Sequence, residues 1–217
     1  MTLLHTRSEA VFLALLFAAV TPAQSHKISG ALAHGQASFG DVLEQRFTPD
    51  GSRLVYRANH ATEGVVDLFS VPAGGSGGSA SPVQLSAADP EVPISSVVEF
   101  QISPDSERVV FSGGTGASLL SAPVDGSAPT VELAPIHGPF LITPDGTQVV
   151  WQGGEGDLYV GPIKGSAPPT FLARGEDLGL VRQLGISPDG TRAVLANTFC
   201  PQPWECYEGL GEHSAGR

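Results

Sequence analysis

The chain carries only two cysteines, Cys200 and Cys206, in 217 residues. So few exclude the disulfide framework of small secreted scaffolds, and a structural zinc site needs more ligands than two thiolates. Basic residues are also scarce: 11 Lys and Arg stand against 22 Asp and Glu, a formal net charge of −11. That charge repels phosphate backbones and anionic lipid, which argues against a nucleic-acid partner. No apolar run reaches the ~20 residues that a membrane-spanning helix needs. No segment shows the 3.6-residue period of an amphipathic helix, and there is no phosphate-binding loop or basic patch. The six histidines, His5, His26, His34, His60, His137 and His213, have no metal-ligand spacing.

Glycine and proline, by contrast, are abundant, at 27 and 18 residues. Between short β-branched and aromatic runs, such punctuation fits an all-β protein rather than disorder. Residues 1–23 read as an export signal. Arg7 and His5 precede the apolar run Val11–Val20, and small residues at Thr21 and Ala23 suit cleavage after Ala23. The expected location is therefore the periplasm or the outside of the cell, with no membrane span after cleavage.

One phrase recurs four times: Thr48-Pro49-Asp50-Gly51, Ser103-Pro104-Asp105-Ser106, Thr143-Pro144-Asp145-Gly146 and Ser187-Pro188-Asp189-Gly190. The prolines lie 55, 40 and 44 residues apart, the period of a repeat array. Each phrase follows an apolar strand and precedes another. Proline presets φ at the first corner, Asp accepts backbone N–H bonds, and Gly takes the positive-φ position. Ser106 replaces that Gly, so the second turn is expected to be strained or of another type. After each phrase the next strand has a bulky residue at one place: Tyr56, Phe111, Trp151 and Leu195. These read as core knobs between stacked sheets. A third strand also repeats, as Leu68-Phe69-Ser70-Val71-Pro72, Leu119-Leu120-Ser121-Ala122-Pro123 and Leu158-Tyr159-Val160-Gly161-Pro162.

This series of an apolar strand, Ser/Thr-Pro-Asp-Gly, a hydrophobic strand and Leu-Tyr-x-x-Pro-x-x-Gly resembles the TolB-type, WD40-like β-propeller repeat. The resemblance covers about residues 26–196. It implies four-stranded antiparallel blades at about 42–86, 92–134 and 137–173, with a fourth, partial blade at 180–197. Residues 198–217 are expected to form an irregular tail. About four blades make an open or incomplete array, whose free edges could pair with another chain. One closing device is conceivable, because His26-Lys27-Ile28-Ser29-Gly30 is similar to the outer strand at Val83-Gln84-Leu85-Ser86-Ala87. The competing expectation is a truncated fragment of a longer propeller protein.

Candidate chemistry is thin. Gly74-Gly75-Ser76-Gly77-Gly78 matches the Gly-x-Ser-x-Gly of hydrolases, but it lies in a Gly/Ser loop with no helix after it. The turn carboxylates Asp50, Asp105, Asp145 and Asp189 are expected to stabilise turns, spread around the array rather than paired for acid–base work. Asn59–Gly64 supplies too few oxygens for a calcium loop. Cys200 and Cys206 could pair in an oxidising compartment. Trp204 and Tyr207 could cover an open blade edge. No cofactor, metal or catalytic residue is expected. The reading is a non-enzymatic exported scaffold that binds an unidentified protein. The alternative is a propeller lyase or hydrolase with a polar or metal site in its channel. The mostly apolar first strands, Phe100-Gln101-Ile102, Phe140-Leu141-Ile142 and Leu184-Gly185-Ile186, argue against it.

Overall fold

The structure, a computed structural model, describes residues 42–59, 65–74, 81–86, 96–113, 117–178, 180–202 and 205–214. The signal segment, His26–Gly30, positions 60–64, 75–78 and Trp204 lie outside the described residues.

The first sheet runs in chain order through β1 (Val42–Phe47), β2 (Arg53–Ala58), β3 (Asp67–Pro72) and β4 (Val83–Gln84). The second contains β5 (Val97–Ile102), β6 (Arg108–Gly113), β7 (Ser118–Pro123) and β8 (Val131–Pro135). The third contains β9 (Phe140–Ile142), β10 (Gln148–Gln152), β11 (Leu158–Pro162) and β12 (Thr170–Ala173). The fourth has three described strands, β13 (Leu180–Ile186), β14 (Arg192–Gln202) and β15 (Glu205–Ser214). All pairings are antiparallel, and the four sheets are unclosed.

The sheets stack face to face. Middle strands are apolar at consecutive positions, as in Leu54-Val55-Tyr56, Val109-Val110-Phe111 and Val149-Val150-Trp151. Both faces of such a strand must therefore be covered. The first interface joins Val55, Leu68 and Leu85 to Phe100, Val109 and Phe111. The second joins Val110 and Leu119 to Phe140, Val149 and Trp151. The third joins Val150, Leu158 and Val160 to Val181 and Leu195. The four expected knobs Tyr56, Phe111, Trp151 and Leu195 are all at most 2% exposed.

Volume is balanced within each sheet. Tyr56 lies opposite Phe69, with Val71 nearby; Phe111 lies opposite Leu120, with Ala122; Trp151 lies opposite Tyr159, with Gly161. The largest of these knobs, Trp151, has the smallest residue two places along the facing strand, Gly161. A Cβ at Gly161 would sit 3.0 Å from Trp151 Cη2. The indole therefore occupies the space that a side chain at this position would need, and it stacks on Tyr159 at 6.0 Å between centroids.

The first strands stand side by side along the inside of the array, β5 beside β9 and β9 beside β13. Polar side chains tie them together. The Gln101 amide donates to Phe140 O at 2.7 Å and accepts the Ile142 N–H at 3.3 Å. Arg57 donates to Val97 O and Val98 O and pairs with Glu44 at 3.1 Å.

The end of the chain corrects the sequence reading. Residues expected to form an irregular tail continue β14 and return as β15, pairing from Arg192↔Ser214 to Gln202↔Glu205. The third-strand signature is absent there, yet a strand edge offers backbone donors and acceptors that pair regardless of side chain.

Gly161→Val should therefore overpack against Trp151 and destabilise the protein by about 1–3 kcal/mol. The check is the midpoint of urea unfolding with an unchanged slope.

Candidate functional site

Two features concentrate the polar and exposed apolar groups: the row of Pro-Asp turns and the wall of first strands.

Each turn is a closed local network. In the first, the Thr48 hydroxyl donates to Asp50 Oδ1 at 2.6 Å and accepts the Arg53 N–H at 3.0 Å. Asp50 Oδ1 also accepts the Ser52 N–H at 3.0 Å, and the Gly51 N–H closes the turn on Thr48 O at 2.8 Å. The third copy repeats this with Thr143, Asp145, Thr147 and Gln148, and the fourth with Ser187, Asp189, Thr191 and Arg192. In the second, the Ser103 hydroxyl donates to Asp105, whose Oδ1 accepts the Glu107 N–H. Gly51, Gly146 and Gly190 sit at φ of 71°, 73° and 70°.

Ser106 takes the same conformation, at φ 65°, and its turn closes like the others through the Ser106 N–H on Ser103 O. The turn type is thus unchanged, and the strain lies in the backbone, where a residue with a Cβ holds a positive φ. Its hydroxyl accepts the Asp50 N–H of the preceding sheet's turn at 3.1 Å. The next turn packs the other way. A Cβ on Gly146 would come within 3.4 Å of Asp105 Oδ2. Successive turns therefore touch along one rim, closer than the spread expected from spacing alone.

These hydrogen bonds favour the charged carboxylate. The donors, first Thr48 and then Ser52, hold Asp50 down to about 2 from an ordinary 3.8. Ser187 and Thr191 do the same for Asp189, also to about 2, and Thr143 and Thr147 lower Asp145. A carboxylate so stabilised is a weak base at neutral pH and is not available as a proton donor.

The inner wall has a different chemistry. Leu43 and Val98, which occupy matching positions on β1 and β5, are 50% and 65% exposed. Phe47, 60% exposed, stands instead at the position of Ile102, which packs between the first two sheets, and so lies on the first sheet's open face. Arg57 links the two strands through Glu44 and Val98 O. Arg46 pairs with Glu44 at 2.7 Å and lies over the Phe100 ring at 5.6 Å. Apolar side chains in water beside neutralised charge pairs suit an apolar contact with another molecule. The sequence marked the first strands as apolar but did not indicate which of their residues stay exposed.

An open cleft of about 380 Å³ lies by Glu155, Asp157, Phe171, Arg174 and Glu176. Asp157, Arg174 and Glu176 are engaged locally. Asp157 Oδ1 accepts the Gly175 N–H at 2.7 Å, Asp157 Oδ2 accepts the Tyr159 hydroxyl at 3.3 Å, and Arg174 pairs with Glu176 at 3.2 Å. Desolvation first, then Asp157, pushes the Tyr159 hydroxyl above its ordinary range. Among the described residues no three His, Cys, Asp or Glu are grouped to hold a metal ion, and no helix is long and apolar enough to cross a membrane. The side chains of Cys200 and Cys206 lie outside the described ones.

No protein-family model matches the sequence, and no curated protein is similar to it. Solved structures are. The TolB of Agrobacterium tumefaciens superposes with a TM-score of 0.50 at 17% identity, over 80% of this chain and 61% of that one. A eukaryotic initiation factor gives 0.53 at 13% identity, over 81% of this chain and 45% of that one. An oligogalacturonate lyase in complex with manganese gives 0.50 at 14% identity, over 75% and 45%. The chain thus spans less than two thirds of the length of each. Likenesses at this identity show the fold, a TolB-like β-propeller, and proteins of that fold do unrelated things.

Two outcomes follow for the rim. Because folding lowers the carboxylate pKa, the stabilisation is present above the unfolded value near 3.8 and is lost as pH falls toward 2. The thermal midpoint should drop between about pH 5 and pH 2.5, and less steeply in an Asp50→Asn, Asp189→Asn double variant. Ser106→Ala should cost about 1 kcal/mol, since it keeps the positive φ and loses the bond to Asp50. Ser106→Gly should cost less, because it relieves the backbone.

Proposed function

We propose that this chain is a non-enzymatic propeller scaffold, exported to the periplasm or beyond, that binds a protein through the inner wall of its first two sheets. The observation that carries this reading is the exposure of Leu43 and Val98 at matching positions on the first strands of the first two sheets, where a catalytic channel would call for converging polar groups. The turn aspartates, a recurring polar group of the repeat, accept local hydrogen bonds that close their own turns, which supports a structural role for them. Export is supported by the apolar run Val11–Val20 and the small residues before Gln24.

The partner's chemistry follows from the wall. Apolar side chains would seat on Leu43 and Val98, and basic groups at the rim would be drawn to a chain of net charge −11. A second copy of this chain would satisfy the first requirement but not the second.

The test uses exposed positions, so the fold tolerates the change. Leu43→Asp and Val98→Asp should keep the wild-type thermal midpoint. Each should lower recovery of the co-purifying protein from the exported fraction by about tenfold, the scale of a lost interface anchor. Equal recovery by wild type and variants would remove the wall as the binding surface. Stoichiometric divalent metal in the purified protein would instead favour the lyase or hydrolase reading.

A further inference from the structure

We propose that Cys200 and Cys206 form an intrachain disulfide that pins the register of the hairpin formed by β14 and β15. The ladder between these strands runs in one register from Arg192↔Ser214 to Phe199↔Tyr207 and resumes one residue out of step at Gln202↔Glu205. Between those pairs β14 has two residues, Cys200 and Pro201, while β15 has one, Cys206. Two residues against one is a β-bulge. Pro201 has no N–H to give to the ladder, and bulges are where a strand tolerates that loss. Cys206 is therefore the residue set opposite the Cys200–Pro201 step.

Distance permits the bond. Facing Cα atoms of antiparallel strands stand about 4.5–5.5 Å apart, within the roughly 4.4–6.8 Å that a disulfide spans. The hairpin also lacks the usual register control. The Leu-x-x-x-Pro signature of β3, β7 and β11 is missing from β15, which instead carries Gly209 and Gly211 around Leu210. A glycine-rich strand specifies its pairing weakly and slips easily. A covalent tie at the turn end supplies the constraint that core side chains supply in the other sheets.

Formation is a two-electron oxidation. A disulfide oxidant such as oxidised glutathione accepts attack by one cysteine thiolate and releases one reduced thiol. The second cysteine then displaces the other, and each protein thiol loses its proton. Because the oxidant is supplied in vitro, the test does not depend on export.

The full chain is incubated with oxidised glutathione and its thiols are titrated in denaturant. The expected result is no free thiol and a single-chain band on a non-reducing gel. The tryptic peptide of residues 193–217 should be lighter by two hydrogen atoms before reduction than after. Reduction should lower the thermal midpoint by about 5 °C. The Cys200→Ser, Cys206→Ser double variant should melt like the reduced protein and ignore reductant. Two thiols that still titrate after oxidation, or a disulfide between chains, would overturn the bond. An unchanged midpoint on reduction would overturn its role in holding the register.

Discussion

The structure depends on one constraint: a small sheet with two apolar faces cannot bury either of them alone. Each middle strand puts alternate residues on opposite sides, Val55 toward the second sheet and Tyr56 away from it, Val110 toward the third sheet and Phe111 toward the first. Every sheet thus needs a neighbour on each side, and stacking is the arrangement that satisfies it. Burial of a large side chain is worth roughly 1.5–3 kcal/mol, and three interfaces repeat that gain along the chain. The rest of the architecture is what remains once the faces are committed.

What remains is edges and ends. The first strands carry few core residues, so they are held by polar clamps instead, Gln101 on the third sheet and Arg57 on the second. That leaves Leu43 and Val98 in solvent. The turn rim is the polar counterpart. There a hydroxyl, a carboxylate and a positive-φ residue make a self-sufficient corner, and neighbouring corners interlock through Ser106 and Gly146. The apolar wall and the charged rim are thus both consequences of the same stacking.

Much of this was legible. The period of the Pro-Asp phrase, the consecutive apolar positions and the recurring bulky residue specify strands buried on both faces, hence stacked sheets. Backbone pairing without side-chain signature was not legible, and β15 is the example. Its residues carry no repeat motif, but β14 presents an edge to which a following segment can pair. Volume compensation was hidden as well. Gly161 reads as a weak strand residue until Trp151 is seen lying across it. Ser106 reads as a faulty turn until its hydroxyl is found on the backbone of the preceding one.

From the sequence alone came the repeat, its strand order, the turn chemistry and a negative charge that disfavours anionic partners. These are local properties, because a turn or a strand face is set by residues within a few positions of one another. Which side chains meet between sheets, which hydrophobic residues stay in water and where the terminal hairpin pairs were decided only by tertiary structure. Those outcomes depend on residues some 40 to 55 positions apart being brought face to face, and the volumes that must then fit are not encoded in any single repeat.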